Sequence, residues 1–327
     1  MPSTDDLSWL DATARIGARG WPMARPNPSV GAIVVKHGRI IARGWTGPGG
    51  RPHAEAVALG LAGKAARGGT LYVSLEPCAH MSKRGPACAD LVAASGLARV
   101  VIGCADPDPR TAGEGIKRIE SAGIAAELID SAACAESLCG YLTRTVLGRP
   151  HITLKLALSQ DGCLARPPGE SQWLTGEPAR AHVHAMRARM DAILVGAGTL
   201  ASDKPRLDAR LTGLENRSPE RWVLTGGTAP DGWQAMASPQ GVFGMGDAQY
   251  LMVEGGAETA RGFLGAGLVD RLMLYRAPIT IGHGVPALPE LTDAALAEAK
   301  SGWQLCDHRQ LGNDALDVYE RSPCSPA

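Results

Sequence analysis

His53-Ala54-Glu55, then Thr70-Leu71-Tyr72-Val73-Ser74-Leu75-Glu76-Pro77-Cys78, then Cys88, is the stretch on which the reading of this chain turns. It supplies one imidazole, two thiols and a carboxylate that need not be a ligand. His53, Cys78 and Cys88 suit zinc, and three protein ligands leave the fourth position open for water, which separates a catalytic zinc from a structural one. A cation held this way lowers the pKa of water from ~15.7 towards ~7. A nearby carboxylate must then carry a proton to the departing group. Glu55, two residues beyond a ligand, stands where such a general acid–base is needed. Positive charge and helix N-termini both favour the thiolate form of the two cysteines. Nine residues separate Cys78 from Cys88, and His80 within that loop is a rival third ligand.

Taken singly, these residues have ordinary readings: a surface histidine, or free cysteines packing as small hydrophobes. Their order, with Glu76-Pro77-Cys78 closing a strand-like run, is similar to the H-x-E…P-C-x-x-C signature of zinc-dependent base deaminases. The spacing departs from that signature, which has two residues between the cysteines.

Outward from this stretch, Leu7, Leu10 and Ala14 recur at helical spacing within residues 5–20. Residues 30–35 and 40–45 flank Lys36-His37-Gly38-Arg39 as a strand hairpin. His53 opens an Ala-rich helix, 70–75 is a strand, and a helix runs over about 86–95. Strands at 99–104 and 124–128 alternate with helices at 113–122 and 131–147, which indicates a layered α/β domain over residues 1–147. Gly148-Arg149-Pro150 is a linker, and 148–327 reads as a second α/β domain. Its strands are predicted at 151–157, 192–195, 221–224, 250–253, 271–275 and 315–321, with helices at 177–190 and from Gly256 through Leu264.

A length of 327 residues suits two domains, and a formal net charge of zero gives no support to a nucleic-acid partner. The eight cysteines are scattered, and neither a signal peptide nor a membrane-spanning run is read, so a cytoplasmic, reducing setting is expected.

With both halves in view, the chain resembles the bifunctional riboflavin-biosynthesis deaminase/reductases. The first half matches at Pro26-Asn27-Pro28-Ser29-Val30-Gly31, His53-Ala54-Glu55, Leu75-Glu76-Pro77-Cys78-Ala79-His80, and Asp106-Pro107-Asp108-Pro109 ahead of Gly113 and Gly115. The second matches at Lys155-Leu156-Ala157, Ser159, Asp161-Gly162, Gly169-Glu170-Ser171-Gln172-Trp173, residues 191–199, Asp203 with Pro205, and Val253-Glu254-Gly255-Gly256. The resemblance implies a cytidine-deaminase-like three-layer α/β/α domain followed by a dihydrofolate-reductase-like α/β domain. It also implies one Zn2+ per chain, NADPH as the second cofactor, a small phosphoribosylated pyrimidine as substrate, and a homodimer through the reductase domains.

The implied chemistry is hydrolytic removal of the 2-amino group of 2,5-diamino-6-(5-phosphoribosylamino)pyrimidin-4(3H)-one, then NADPH-dependent reduction of the ribosyl group to ribityl. By the same resemblance Asn27 and His80 contact the pyrimidine, while Lys83 or Arg84 meets its phosphate. Ala157, Trp173, Thr199 and Asp203 line the NADPH site. Ser171, Arg187, Leu207, Arg210 and Glu254 meet the reductase substrate, and Lys155 takes part in the reduction. Glu254-Gly255-Gly256, between a strand and a helix, also reads from its own residues as a pyrophosphate cradle at Gly256, because a helix N-terminus favours an anion. Departures from the family pattern lie at Gln160, Lys204, Thr225-Gly226-Gly227 and a shortened stretch 228–249. They keep open an alternative in which the second domain only binds nucleotide or mediates dimerisation.

Overall fold

The computed structural model describes residues 3–80, 84–166 and 174–321, and the chain divides into two compact units, Met1–Arg149 and Pro150–Ala327. In the first, α1 (Thr4–Gly17) begins at Ser3, whose hydroxyl accepts from the Asp6 N–H. The hairpin of β1 (Gly31–Lys36) and β2 (Arg39–Trp45) follows, then α2 (Ala54–Ala62), β3 (Thr70–Val73), α3 (Cys88–Ala93), β4 (Arg99–Ile102), α4 (Glu114–Ser121) and β5 (Ala125–Leu128). The strand order is β2-β1-β3-β4-β5, antiparallel as far as β3 and parallel beyond it. β1, β3 and β4 are buried on both faces, as their near-continuous apolar runs require. α1, packed on α5 (Ala132–Ser137), covers one face, and α2, α3 and α4 cover the other. The single helix predicted over 131–147 is two. Buried Leu138, at φ −109° and ψ 4°, separates α5 from α6 (Cys139–Leu147).

Gly44 places the catalytic helix. A Cβ there would lie 2.5 Å from the Ala54 carbonyl oxygen and 2.8 Å from the Ala58 amide nitrogen. Only glycine lets the first turns of α2, with Glu55, rest directly on β2.

A charged lock ties α1 to β4. Asp6, 4% exposed, accepts two hydrogen bonds from Arg99 at 2.8 and 3.0 Å and one from the Tyr72 hydroxyl at 2.8 Å. Arg99, ahead of its other donors, holds the Asp6 carboxyl down at about 2 against an ordinary 3.8. A carboxyl depressed by folding contributes stability in full above its unfolded pKa, and that contribution fades as pH falls from about 4 towards 2. Asp6→Asn should therefore destabilise the protein at neutral pH and flatten the acid limb of a melting-temperature profile. An unchanged limb would contradict this.

The second unit contains β6 (His151–Leu158), β7 (Cys163–Ala165), α7 (Glu177–Arg187), β8 (Ala192–Gly196), α8 (Ala197–Asp203), β9 (Glu220–Leu224) and β10 (Gln234–Met236). β11 (Tyr250–Val253), α9 (Ala257–Gly265), β12 (Arg271–Arg276), β13 (Val285–Pro286), α10 (Asp293–Ala297), β14 (Trp303–Leu311) and β15 (Asp314–Arg321) complete it. Eight strands order as β10-β9-β8-β11-β6-β12-β15-β14, parallel from β10 to β12 and antiparallel at β15 and β14. β7 and β13 form a separate two-stranded ribbon.

β14 has no counterpart in the sequence-based expectation, nor do α8 and the short β7, β10 and β13. β14 is an edge strand with most of its side chains exposed, so it carries no buried stripe for a period-two pattern to reveal. Its turn was readable: Gly312-Asn313 joins the Leu311–Asp314 pair as a two-residue hairpin.

Candidate active sites

β3, α2 and α3 bring the three expected ligands of the first unit together. His53 is the residue immediately before α2, Cys88 opens α3, and Cys78 follows β3. His53 Nδ1 lies 3.1 Å from Cys88 Sγ and 3.6 Å from Cys78 Sγ, and all three donor atoms fall within 4.8 Å of one another. Tetrahedral zinc bonds imply ligand separations of about 3.6–3.8 Å, so the set fits that ion with little movement. Among the described residues no other group of three His, Cys, Asp or Glu side chains converges in this way. His80 is not in the cluster; its Nδ1 lies 3.5 Å from the Thr111 hydroxyl. Of the two rivals, Cys88 is the one that lies with His53 and Cys78.

The electrostatics suit a cation. Hydrogen bonding from the Cys88 thiol, helped by His53 and by the Cys88 amide at 3.3 Å, brings the Cys78 thiol down to about 4 despite its burial. The same contact, with burial, pushes the Cys88 thiol up. A metal bound to both sulfurs would displace the thiol protons. Glu55 is 3% exposed, and burial raises its carboxyl to about 6, a range suited to both accepting and donating a proton near neutrality.

Two further motif residues hold this centre in place. Buried Glu76 accepts from the amides of Gly113 (3.1 Å), Gly115 (3.0 Å) and Ile116 (3.2 Å), satisfying the N-terminus of α4. A Cβ at Gly115 would come within 2.1 Å of the Pro77 carbonyl oxygen, next to Cys78. Gly115 therefore lets α4 approach the Cys78 turn, while Gly113 takes the left-handed backbone, φ 80°, that precedes α4.

Asn27 is brought to the centre: its side-chain amide lies 3.2 Å from His53 Nε2 and donates to the Gly50 carbonyl at 3.2 Å. It is placed to orient the imidazole, since a ligating histidine commonly engages a partner through its other nitrogen. Arg84 donates to the Gly49 carbonyl at 2.9 Å. Lys83 lies outside the described residues, as do Ser171 and Trp173.

In the second unit a cleft of about 970 Å³ is lined by Lys155, Ala157, Arg187, Thr199, Asp203, Leu207, Arg210, Glu254 and Gly256, all of them expected from the sequence. Alternation along β6 puts Lys155 and Ala157 on one face. Arg187 makes a two-pronged pair with Glu254, Nε to Oε1 at 2.7 Å and Nη2 to Oε2 at 2.9 Å. Lys155 Nζ is 3.8 Å from Glu254 Oε2. Burial works to raise the Glu254 carboxyl, but Lys155 and Arg187 together outweigh it and hold it below the usual range. Leu207 is buried at φ 54°, an unusual backbone for a branched residue and one that clusters at binding sites. Gly196 and Gly256 stand at the N-termini of α8 and α9, and both line the cleft.

The sequence reading missed His184 and Asp208. The Asp208 carbonyl accepts from Arg187 at 3.3 Å and lies 3.0 Å from His184 Nδ1, while its carboxylate accepts from Arg210 at 2.7 Å. Arg180, Val183, His184 and Arg187 all line the cleft, at helical spacing along one face of α7. That periodicity could have found His184.

A His-Cys-Cys centre with a buried glutamate, and a parallel-sheet unit with a nucleotide-sized cleft, define a two-part enzyme that pairs a zinc-type deaminase with a reductase. Residues 4–104 match the cytidine and deoxycytidylate deaminase zinc-binding region, and residues 150–231 and 244–316 match the RibD C-terminal domain. The riboflavin biosynthesis protein RibD of Haemophilus influenzae is 34% identical over 97% of this chain and 98% of its own length; that of Escherichia coli is 34% identical over 88% and 94%. Among solved structures, Acinetobacter baumannii RibD superposes with a TM-score of 0.83 at 30% identity, covering 96% of this chain and 98% of its own. A Thermotoga maritima diaminohydroxyphosphoribosylaminopyrimidine deaminase/5-amino-6-(5-phosphoribosylamino)uracil reductase gives 0.85 at 29%, covering 97% and 98%. The chain belongs to the RibD family, bifunctional deaminase/reductases of riboflavin biosynthesis.

Proposed function

We propose that this chain deaminates 2,5-diamino-6-(5-phosphoribosylamino)pyrimidin-4(3H)-one in a first domain of residues 1–147. Its second, 148–327, then reduces the resulting 5-amino-6-(5-phosphoribosylamino)uracil with NADPH. The observation that carries the reading is the convergence of His53, Cys78 and Cys88 beside buried Glu55.

Zinc held by those three side chains supplies activation of the attacking water. Glu55 takes the water's proton on its carboxylate and returns it to the leaving amino nitrogen, so that the C2–N bond breaks, a carbonyl forms and ammonia leaves. Asn27 keeps the His53 ring oriented and, with His80, borders the pyrimidine.

NADPH supplies hydride to the ribosyl C1′. Its pyrophosphate suits the α9 N-terminus at Gly256, and Ala157, Thr199 and Asp203, with Trp173 by the family resemblance, would line the rest of the NADPH site. Lys155 Nζ, 3.8 Å from the Glu254 carboxylate, donates the proton that the opened sugar oxygen needs. Arg187, Arg210, Ser171 and Leu207 hold the substrate.

Among the described residues no helix is long and apolar enough to cross a membrane, and the seven cysteines there form no disulfide, in keeping with a reducing cytoplasm. The working form is a homodimer, following the family resemblance.

Zinc-loaded protein given the diaminopyrimidine substrate and NADPH should release ammonia and oxidise NADPH in equal amounts. Ammonia without NADPH oxidation would reduce the second unit to a nucleotide-binding or dimerising module.

A further inference from the structure

We propose that Tyr275 is a positioning residue of the reductase, its ring face holding the Lys155 ammonium in place while His182 pins that ring from α7; this rests on the reductase reading above. β6 and β12 are parallel neighbours, with Lys155 opposite Met273 and Ala157 opposite Tyr275. Side chains alternate along a strand, so Tyr275 shares a sheet face with Ala157 and Lys155. It is wholly buried there and clusters with Ala179 and Val183 of α7 and Leu316 of β15. Its hydroxyl lies 2.8 Å from Nδ1 of half-buried His182. The ring is thus fixed at both ends, by the strand at one and by the helix at the other.

Lys155 Nζ stands over this ring, 5.7 Å from its centroid, within the ~6 Å at which an aromatic face attracts a cation. The Glu254 carboxylate attracts Nζ too, but from 3.8 Å, beyond hydrogen-bonding reach, and Arg187 already donates to both of its oxygens at 2.7 and 2.9 Å. Among the described residues Nζ makes no hydrogen bond. A lysine stem is flexible, and ordering it costs rotamer freedom. A proton donor must nevertheless come within about 2.6–3.2 Å of the atom it serves. A ring face meets that need in a way that a second carboxylate would not. It holds the ammonium through charge and leaves the N–H bonds for the substrate. Burial, ahead of the Glu254 charge, pushes the Tyr275 hydroxyl up, so the ring stays a neutral phenol.

The test measures NADPH oxidation by the full-length protein with deaminated intermediate supplied. Tyr275→Phe keeps the ring and loses only the bond to His182, so kcat should stay within about threefold of wild type. Pentafluorophenylalanine in place of Tyr275 has nearly the same shape, but fluorination turns the negative ring face positive. Relative to Tyr275→Phe it should lower kcat about tenfold, with KM for intermediate and for NADPH unchanged and a urea midpoint showing that it folds. A purely structural ring would not distinguish the two, so equal kcat values would overturn the proposal. A rise in KM as large as the fall in kcat would also overturn it, by making Tyr275 a substrate or cofactor contact. Should the fluorinated protein not fold, Tyr275→Leu, which has no ring face, is judged against Tyr275→Phe by the same split of kcat from KM. No NADPH oxidation by wild type with intermediate supplied would remove the reductase reading, and this proposal with it.

Discussion

Replacing Glu55 by glutamine should lower ammonia release by about 10²–10⁴-fold, while one zinc per chain stays bound. Glutamine keeps the shape and the burial but cannot shuttle a proton. The three side chains that converge on the metal position are His53, Cys78 and Cys88, and Glu55 is not among them. Metal content measured beside the rate separates the two roles: zinc lost together with activity would make Glu55 a ligand. Burial, the largest influence, raises this carboxyl to about 6, and a neighbouring cation works the other way. As the reaction begins with the carboxylate as base, the acid limb of kcat/KM should lie at or below about pH 6 and be absent from the residual activity of Glu55→Gln. A limb well above that pH would point to a different group.

Glu254→Ala should destabilise the protein by about 3–5 kcal/mol and abolish reduction of the deaminated intermediate. Its carboxylate is the common partner of Arg187, at 2.7 and 2.9 Å, and of Lys155, at 3.8 Å, and all three side chains are largely buried. Its removal leaves two largely buried cations without their shared partner. Stability should be read from the urea midpoint and chemistry from NADPH oxidation with intermediate supplied directly. Replacing the pair together, as Arg187→Met with Glu254→Leu, should restore much of the stability and none of the reduction, because the buried charge is gone but the substrate contacts are too. Full reduction by Glu254→Ala would contradict the assigned role of the Lys155–Glu254–Arg187 group.

The zinc centre was legible because metal chemistry admits few residue types, and His53, Glu55, Cys78 and Cys88 stand at the ends of elements that hydrophobic patterning predicts. The reductase cleft was legible through motif residues on or just beyond strands, Lys155 within β6 and Glu254 immediately after β11. Residues that act through an uncommon backbone or a single long contact left no such trace. Asp208 works through its carbonyl as well as its carboxylate, and Gly44 through an absent Cβ. β14 escaped for the opposite reason: an edge strand with little buried surface has no periodicity to read.

The most direct test of two active sites working in sequence is NADPH consumption by the zinc-loaded full-length protein, with wild type and Glu55→Gln run side by side on the diaminopyrimidine substrate. Wild type should oxidise NADPH, Glu55→Gln should not, and supplying the deaminated intermediate should restore oxidation in the variant. Oxidation by Glu55→Gln without added intermediate, or none by wild type with it, would contradict the deaminate-then-reduce order proposed for the two units.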